Sequence, residues 1–310
     1  MRAIITVCIL FFTGLSFSHS LPDPRRTLSG SRQTLPGSHQ TLPGSRQTDS
    51  SGRDTLNHQR DSIYQSDPSF CTGVRNTAFQ AGEVLTYRVY YAVANVYLPG
   101  GEASFTTTLE HFNGKEVYHV IADGKTNSFY DKFFKVRDRY ETYIDTLTLQ
   151  PYKFIRDVDE GGYKTKENVT FIKSANTAIT NTGVYKVPDC IQDVLSAIFY
   201  ARNIDFSHHK PGDKIPFYMF LDRQVYPLYI RYLGKETIRT KYAKFRTIKF
   251  RPLLVKGTMF EGGEKMTVWV TDDPNHIAVR IESPITVGRV SVDLSAHTPP
   301  RYPLTSLVDL

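Results

Sequence analysis

The chain of 310 residues is 40% hydrophobic, 13% aromatic and 22% charged, with a formal net charge of +7. A length of this order can hold two domains, but extended all-β folds often use it for one, and one large domain is expected here. The charge argues against nucleic-acid binding. Without Arg2 and the six Arg and five Asp of residues 21–69 it falls to about +5, and Arg239, Lys241, Lys244, Arg246 and Lys249 alternate with aromatic and β-branched residues as on solvated strand faces.

Met1 and Arg2 precede an apolar run from Ala3 to Leu15 and the small-x-small pattern Ser18-His19-Ser20, which has the form of a secretory signal peptide over residues 1–20. The run is short for a membrane span, and no later segment approaches 18 apolar residues, so no transmembrane segment is expected after processing. Cys8 lies within the run, without the small-residue context of a lipid-anchored cysteine.

Residues 21–69 form a low-complexity linker. Gly30-Ser-Arg-Gln-Thr-Leu-Pro36 and Gly37-Ser-His-Gln-Thr-Leu-Pro43 are successive copies of one unit, and a decaying third begins at Gly44. Gly and Pro in every unit exclude a sustained helix, and the few apolar side chains cannot bury a core, so this segment is expected to be a flexible tether.

From Phe70 the aromatic content rises and period-two alternation begins, which marks residues 70–310 as a single β-rich domain. Leu85, Tyr87, Val89 and Tyr91 predict a first strand that continues toward Tyr97, with a turn at Pro99-Gly100-Gly101. Ala103, Phe105, Thr107 and Leu109 predict its partner, and Asn113-Gly114 is a strong hairpin signal before a third strand over Glu116–Ala122. Residues 129–134 suit a short helical turn. Strands follow over Val136–Ile144, Leu149–Val158, Tyr163–Phe171 and Thr177–Val187, with Asp159-Glu160-Gly161-Gly162 as a tight turn. Beyond the helix described next, strands are expected over Lys214–Leu221, Val225–Leu233, Glu236–Thr240, Lys244–Val255, Lys265–Thr271, Ile277–Glu282 and Ile285–Leu294. About a dozen strands joined mainly by hairpins imply an antiparallel meander that must curl or close.

The stretch over about 190–202 is the one convincing helix. Asp189 and Gln192 have the spacing of a capping box, and Ile191, Leu195, Ile198 and Phe199 form one apolar stripe. So short a helix needs a sheet to cover, and it reads as the plug or lid of the β-structure. With Cys8 in the leader, Cys71 and Cys190 remain as an even pair in an exported chain, which favours a disulfide; the alternative is two buried thiols. The closed loop would lower the entropy of the unfolded chain by roughly 4–5 kcal/mol in the loop-entropy treatment.

Four blocks in order carry a family resemblance: Phe79-x-x-Gly82-Glu83-x-Leu85-x-Tyr87; Val136-Arg137-Asp138-Arg139-Tyr140-Glu141; Asp193-x-Leu195-Ser196-x-x-Phe199-Tyr200-Ala201-Arg202; and Trp269-x-Thr271-Asp272-x-x-x-x-Ile277-x-Val279 with Val287-Gly288. Over about residues 70–296 the chain resembles the family known as domain of unknown function 3108, found in exported proteins of Gram-negative bacteria, notably Bacteroidetes. The resemblance implies a curled, barrel-like antiparallel sheet with the helix packed against it, in a periplasmic, cell-surface or secreted protein, and it brings no established activity. Ala278 departs from the family pattern, which favours proline there. In such an envelope Asp54-Thr55-Leu56 and Asp61-Ser62-Ile63 match an O-glycosylation tripeptide, which makes Thr55 and Ser62 candidate sites; Asp145-Thr146-Leu147 is a third match, in a turn.

No catalytic constellation is recognisable, so the sequence points to a non-enzymatic protein with neither cofactor nor metal. His208-His209 beside Asp205 would project to opposite faces of an extended chain and reads as solvated loop. Asp157, Asp159, Glu160 and Glu167 sit among Arg156, Lys164 and Lys166, which makes cross-strand charge pairing the better reading than a cation site. Ser196 lacks a glycine elbow and a base partner. The aromatic residues Tyr87, Tyr91, Phe105, Tyr218, Phe220, Tyr229 and Tyr232 would line either a filled core or a cavity of the curled sheet. The function this favours is binding of an apolar, lipid-like or glycan ligand in the concavity. The alternative is an interaction or assembly module that offers a strand edge or aromatic patch to an envelope protein.

Overall fold

The computed structural model describes residues 74–308 apart from 94–95, 133–134, 256–262 and 286–287. The expected signal peptide and linker, together with Cys71, Thr55 and Ser62, lie outside the described residues.

Fifteen strands are present among the described residues: β1 (Val84–Val93), β2 (Val96–Phe112), β3 (Lys115–Thr126), β4 (Val136–Asp145), β5 (Pro151–Glu160), β6 (Tyr163–Ile172), β7 (Thr177–Thr180), β8 (Gly183–Lys186), β9 (Lys214–Leu221), β10 (Gln224–Arg239), β11 (Lys244–Pro252), β12 (Thr267–Thr271), β13 (Ala278–Pro284), β14 (Arg289–His297) and β15 (Leu307–Val308). Two α-helices accompany them, α1 (Ser128–Asp131) and α2 (Val194–Ala201). The strands form one antiparallel sheet in the order β8-β7-β6-β5-β4-β3-β2-β1-β14-β13-β12-β11-β10-β9, with β15 added to β11. The expected curled meander is therefore present. Every pairing joins strands consecutive in sequence except β11–β15 and β1–β14; in the latter Leu85 faces His297 and Ala92 faces Arg289.

Among the described residues the sheet is not closed by hydrogen bonds; β8 and β9 are its two margins. Side chains bring them together. The Phe220 ring of β9 meets Phe171 of β6 and Tyr185 of β8 at 6.0 and 5.7 Å, and Arg156 of β5 donates to Asp222, just beyond β9, at 2.5 Å. Gln192, on the link between the margins, docks its backbone on β9: its N–H donates to the Tyr218 carbonyl at 2.9 Å and its carbonyl accepts from the Phe220 N–H at 2.8 Å. The link then rises into α2.

Alternation explains most strands. Along β4, Val136, Asp138, Tyr140, Thr142 and Ile144 are buried, whereas Arg137 and Arg139 are exposed. In β12 all five residues are buried. The tip of the β10–β11 hairpin reaches over the outside of the sheet there: the Arg239 carbonyl accepts from Arg280 of β13, the Tyr242 hydroxyl bonds that of Tyr90 in β1 at 2.9 Å, and Glu236 accepts from the Trp269 indole at 2.5 Å. A strand covered on both faces loses its polar alternation.

Several local expectations are corrected. The first hairpin turns between β1 and β2, so Pro99-Gly100-Gly101 lie inside β2; a register shift between Val89 and Tyr90, opposite Pro99, accommodates a residue that cannot donate to the ladder. Thr177–Val187 is a hairpin, β7 and β8, rather than one strand. Val225–Leu233 and Glu236–Thr240 fuse into β10, through a bulge at Gly234, whose φ of 100° suits glycine. The capping box is one turn later than expected. Asp193 accepts from the N–H groups of Leu195 and Ser196 at 2.8 and 2.9 Å, and the Ser196 hydroxyl accepts from the Asp193 N–H at 2.8 Å, so Asp189, Cys190 and Ile191 precede the helix. Leu307–Val308 is a strand that no periodicity announces.

Candidate functional site

The helix is too short to hold itself, and the sheet interior fixes it at both ends. At its start the Thr142 hydroxyl of β4 donates to the second carboxylate oxygen of Asp193 at 2.6 Å, within a fully buried setting. Burial pushes the Asp193 carboxyl up to about 6, against the hydrogen bonds that favour its charged form. At its end Arg202 forms a two-pronged ion pair with Glu83, at 2.5 and 2.9 Å, with side-chain exposures of only 6% and 1%. The same guanidinium donates to the Asn275 and Ala78 carbonyls at 3.1 and 3.3 Å and lies 5.5 Å from the rings of both Phe79 and Phe199. The charge is thus fully enclosed by acceptors and aromatic faces. Behind it, His276 has a φ of 43° and its Nδ1 bonds the Arg202 carbonyl at 2.7 Å; burial holds its imidazole below the usual histidine range.

Between α2 and the sheet lies a cavity of about 70 Å³. Its floor takes one or two inward residues from each of eight strands, among them Leu85 and Tyr87, Phe105, Phe217, Ile230, Phe250, Val268 and Val292. Its roof is Ala197, Ile198, Phe199, Ala201 and Arg202 of the helix end, and His276 closes one side. The lining is almost wholly apolar; Arg202 contributes carbon while its charged tip is turned into the Glu83 pair.

Of the seven aromatic residues singled out in the sequence, Tyr87 and Phe105 line this cavity, in an edge-to-face contact of 5.7 Å. The other five lie elsewhere. Tyr218 and Phe220 alternate with the lining residue Phe217 and so belong to the opposite face of β9, where Phe220 closes the margin. Tyr232 packs on Phe206 at 5.5 Å. Tyr229 is half-buried, donates to Glu264 at 2.5 Å and lies under Lys214. Tyr91, past the register shift of β1, is half-buried opposite Val290 and Leu98. Glu83, Arg202 and His276 carry no functional signal of their own in the sequence, although Glu83 and Arg202 stand in the blocks that carry the family resemblance.

The remaining polar groups pair as strand faces do. Lys164–Asp159, Lys166–Asp157 and Arg156–Glu167 bridge β5 and β6 at 3.5, 2.7 and 2.9 Å. His208 and His209 turn to different partners, Asp205 and Asp213. Ser196 is used in the helix cap. Inside β4 burial and the neighbouring Glu160 push Asp138 up to about 9. The Cys190 sulfur accepts from Gln150 at 3.3 Å, while Cys71 lies outside the described residues.

Residues 86–295 match the family of proteins of unknown function DUF3108. No curated protein matches the chain. Among solved structures, similarity extends to a β-barrel-like protein of domain of unknown function DUF1849 from Brucella abortus, at 8% identity and a TM-score of 0.49, covering 71% of this chain and 99% of that one. It extends also to a protein described as exported, with a YmcC-like fold, from Bacteroides fragilis (13% identity, TM-score 0.29, covering 73% and 100%). A third is described as a lipoprotein, from Parabacteroides distasonis (15% identity, TM-score 0.27, covering 72% and 100%).

Proposed function

We propose, from the premise that the chain belongs to the DUF3108 family, that it is an exported envelope protein that binds the apolar end of a lipid-like ligand beneath α2. The observation that carries this reading is the apolar cavity between the helix end and eight strands. Its chemistry favours an acyl or aromatic end over a glycan, because sugar hydroxyls buried against this lining would lack hydrogen-bond partners. Its size is well below the several hundred Å³ of a typical ligand pocket, so a longer ligand requires α2 to lift. Mass spectrometry of lipid extracts of the purified protein, with titration of a fluorescent fatty acid, tests the reading. An acyl species at a fixed ratio and saturable binding are expected; an empty protein that leaves the fatty acid unbound rejects it. Export itself rests on the leader pattern of residues 1–20, and a periplasmic, cell-surface or secreted place is proposed with it.

The proposed Cys71–Cys190 disulfide would staple the start of the domain to the approach to α2. Its support is that, with Cys8 in the leader, Cys71 and Cys190 are left as an even pair in an exported chain. Thiol labelling of the unfolded, unreduced exported protein should find none; two reactive thiols per chain reject the bond. O-glycosylation at Thr55 and Ser62 is proposed on the tripeptides alone, and the intact mass of protein from its native host decides it.

A further inference from the structure

One end of the sheet carries apolar side chains out into solvent. The β1–β2 hairpin and the β3–β4 connection meet there: the Asn127 N–H donates to the Gly100 carbonyl at 3.1 Å, and its side-chain amide donates to the Pro99 carbonyl at 3.0 Å. On these two segments Val96, Leu98 and Phe129 are 59%, 43% and 65% exposed. Singly such residues need no explanation, but three on adjoined segments at one tip do. Cations flank them. Lys132 and Lys135 are exposed, and Arg289 sits beside the Tyr97 ring and hydroxyl. The carboxylates on the same elements are already countered, Asp131 by Arg137 at 2.6 Å and Glu102 by Arg88 and Lys125 at 3.2 and 3.7 Å.

We infer that this end of the sheet docks on an anionic lipid surface, with Val96, Leu98 and Phe129 entering the headgroup region and Lys132 and Lys135 facing the lipid charge. A few apolar side chains at a tip cannot supply the roughly 800 Å² per partner that a stable protein interface buries. They do suit a bilayer, where binding strength grows with inserted apolar area and with attraction to anionic headgroups. The inference goes beyond the cavity reading and is independent of it.

Flotation of the processed chain with vesicles tests it. Binding is expected to vesicles containing phosphatidylglycerol and not to pure phosphatidylcholine, with release at about 0.5 M salt, where charges are screened within a few ångströms. The triple variant V96S/L98S/F129S should lower the partition coefficient about tenfold or more. K132E/K135E should lower it by at least about 25-fold, near fivefold for each lysine removed. All these positions are exposed, so both variants should keep the wild-type circular dichroism and melting temperature. An Ala197→Leu variant, which fills the cavity, should bind vesicles as the wild type does. No binding to anionic vesicles overturns the inference, as does full binding by both variants. A wild-type dimer that the triple variant converts to monomer would also overturn it, by giving the patch to a second copy of the chain.

Discussion

Arg202 and Asp193 are the residues on which the seating of α2 depends most. Each presents a buried polar group that only its partners make tolerable. Arg202→Met would leave Glu83 buried and uncompensated, and Glu83→Gln the reverse; each is expected to cost about 3–5 kcal/mol in urea unfolding, while the double variant costs less than the sum of the two. Asp193 predicts a pH dependence of definite sign. Its folded pKa of about 6 lies above the ordinary 3.8, so the folded state holds the proton more tightly than the unfolded one. Its contribution to stability is therefore greatest below about pH 4, falls as pH rises through 6, and is level above, a span of about 3 kcal/mol. Asp193→Asn keeps the capping acceptor and should flatten that part of the pH–stability curve. A curve unchanged from wild type between pH 4 and 6 would show that Asp193 does not titrate there. Asp145 acts in the opposite sense: Lys173 and the Tyr152 hydroxyl hold its carboxyl down to about 2 despite burial, so its contribution is present above the ordinary value and is lost as pH falls toward 2.

Among the elements, turn chemistry sets the hairpins. Asn113-Gly114 and Gly161-Gly162 supply the two positive φ angles of tight turns with residues suited to them. Asp222-Arg223 supplies the same with φ of 48° and 64°; Asp222 is held by its bond to Arg156, whereas the exposed Arg223 has only a through-space attraction to Glu167 to set against its backbone cost. Arg223→Gly should therefore raise stability by about 0.5–1 kcal/mol, read as a higher urea midpoint at unchanged slope. A lower midpoint would mean that the Arg223 side chain contributes more than its backbone costs. Strand interiors and most turns are legible in the sequence because period-two alternation and glycine placement are local signals. Pro99 reads as a turn but lies within a strand, since its tolerance comes from the bulge at Gly100 in its own strand, which only the pairing with β1 reveals. The cap stands at Asp193 instead of Asp189 for a similar reason: two acceptors at plausible spacing compete, and the one that Thr142 reaches from β4 wins.

For the molecule taken whole, the filled interior with its small apolar void is the feature on which the proposed function rests. Ala197→Leu adds carbon into that void, so its effect on stability should stay within about 1 kcal/mol, smaller than overpacking a dense core would cost. The same variant should lose fatty-acid binding. Destabilisation by several kcal/mol would show that the void is too small to accept the added methylenes, and unchanged fatty-acid binding would place the ligand elsewhere. The antiparallel meander, the helix that α2 forms among the strands and the family are all readable from the residues in order, because each follows from periodicity, turn residues or ordered blocks along the chain. The pairing of β1 with β14, the meeting of the sheet margins at Phe220 and Asp222, the Glu83–Arg202 pair and the choice of aromatic residues that face the void emerge only when the chain is folded. Those depend on the curl of a sheet whose bulges shift register by one residue at a time, and each shift exchanges the inner and outer faces of everything beyond it.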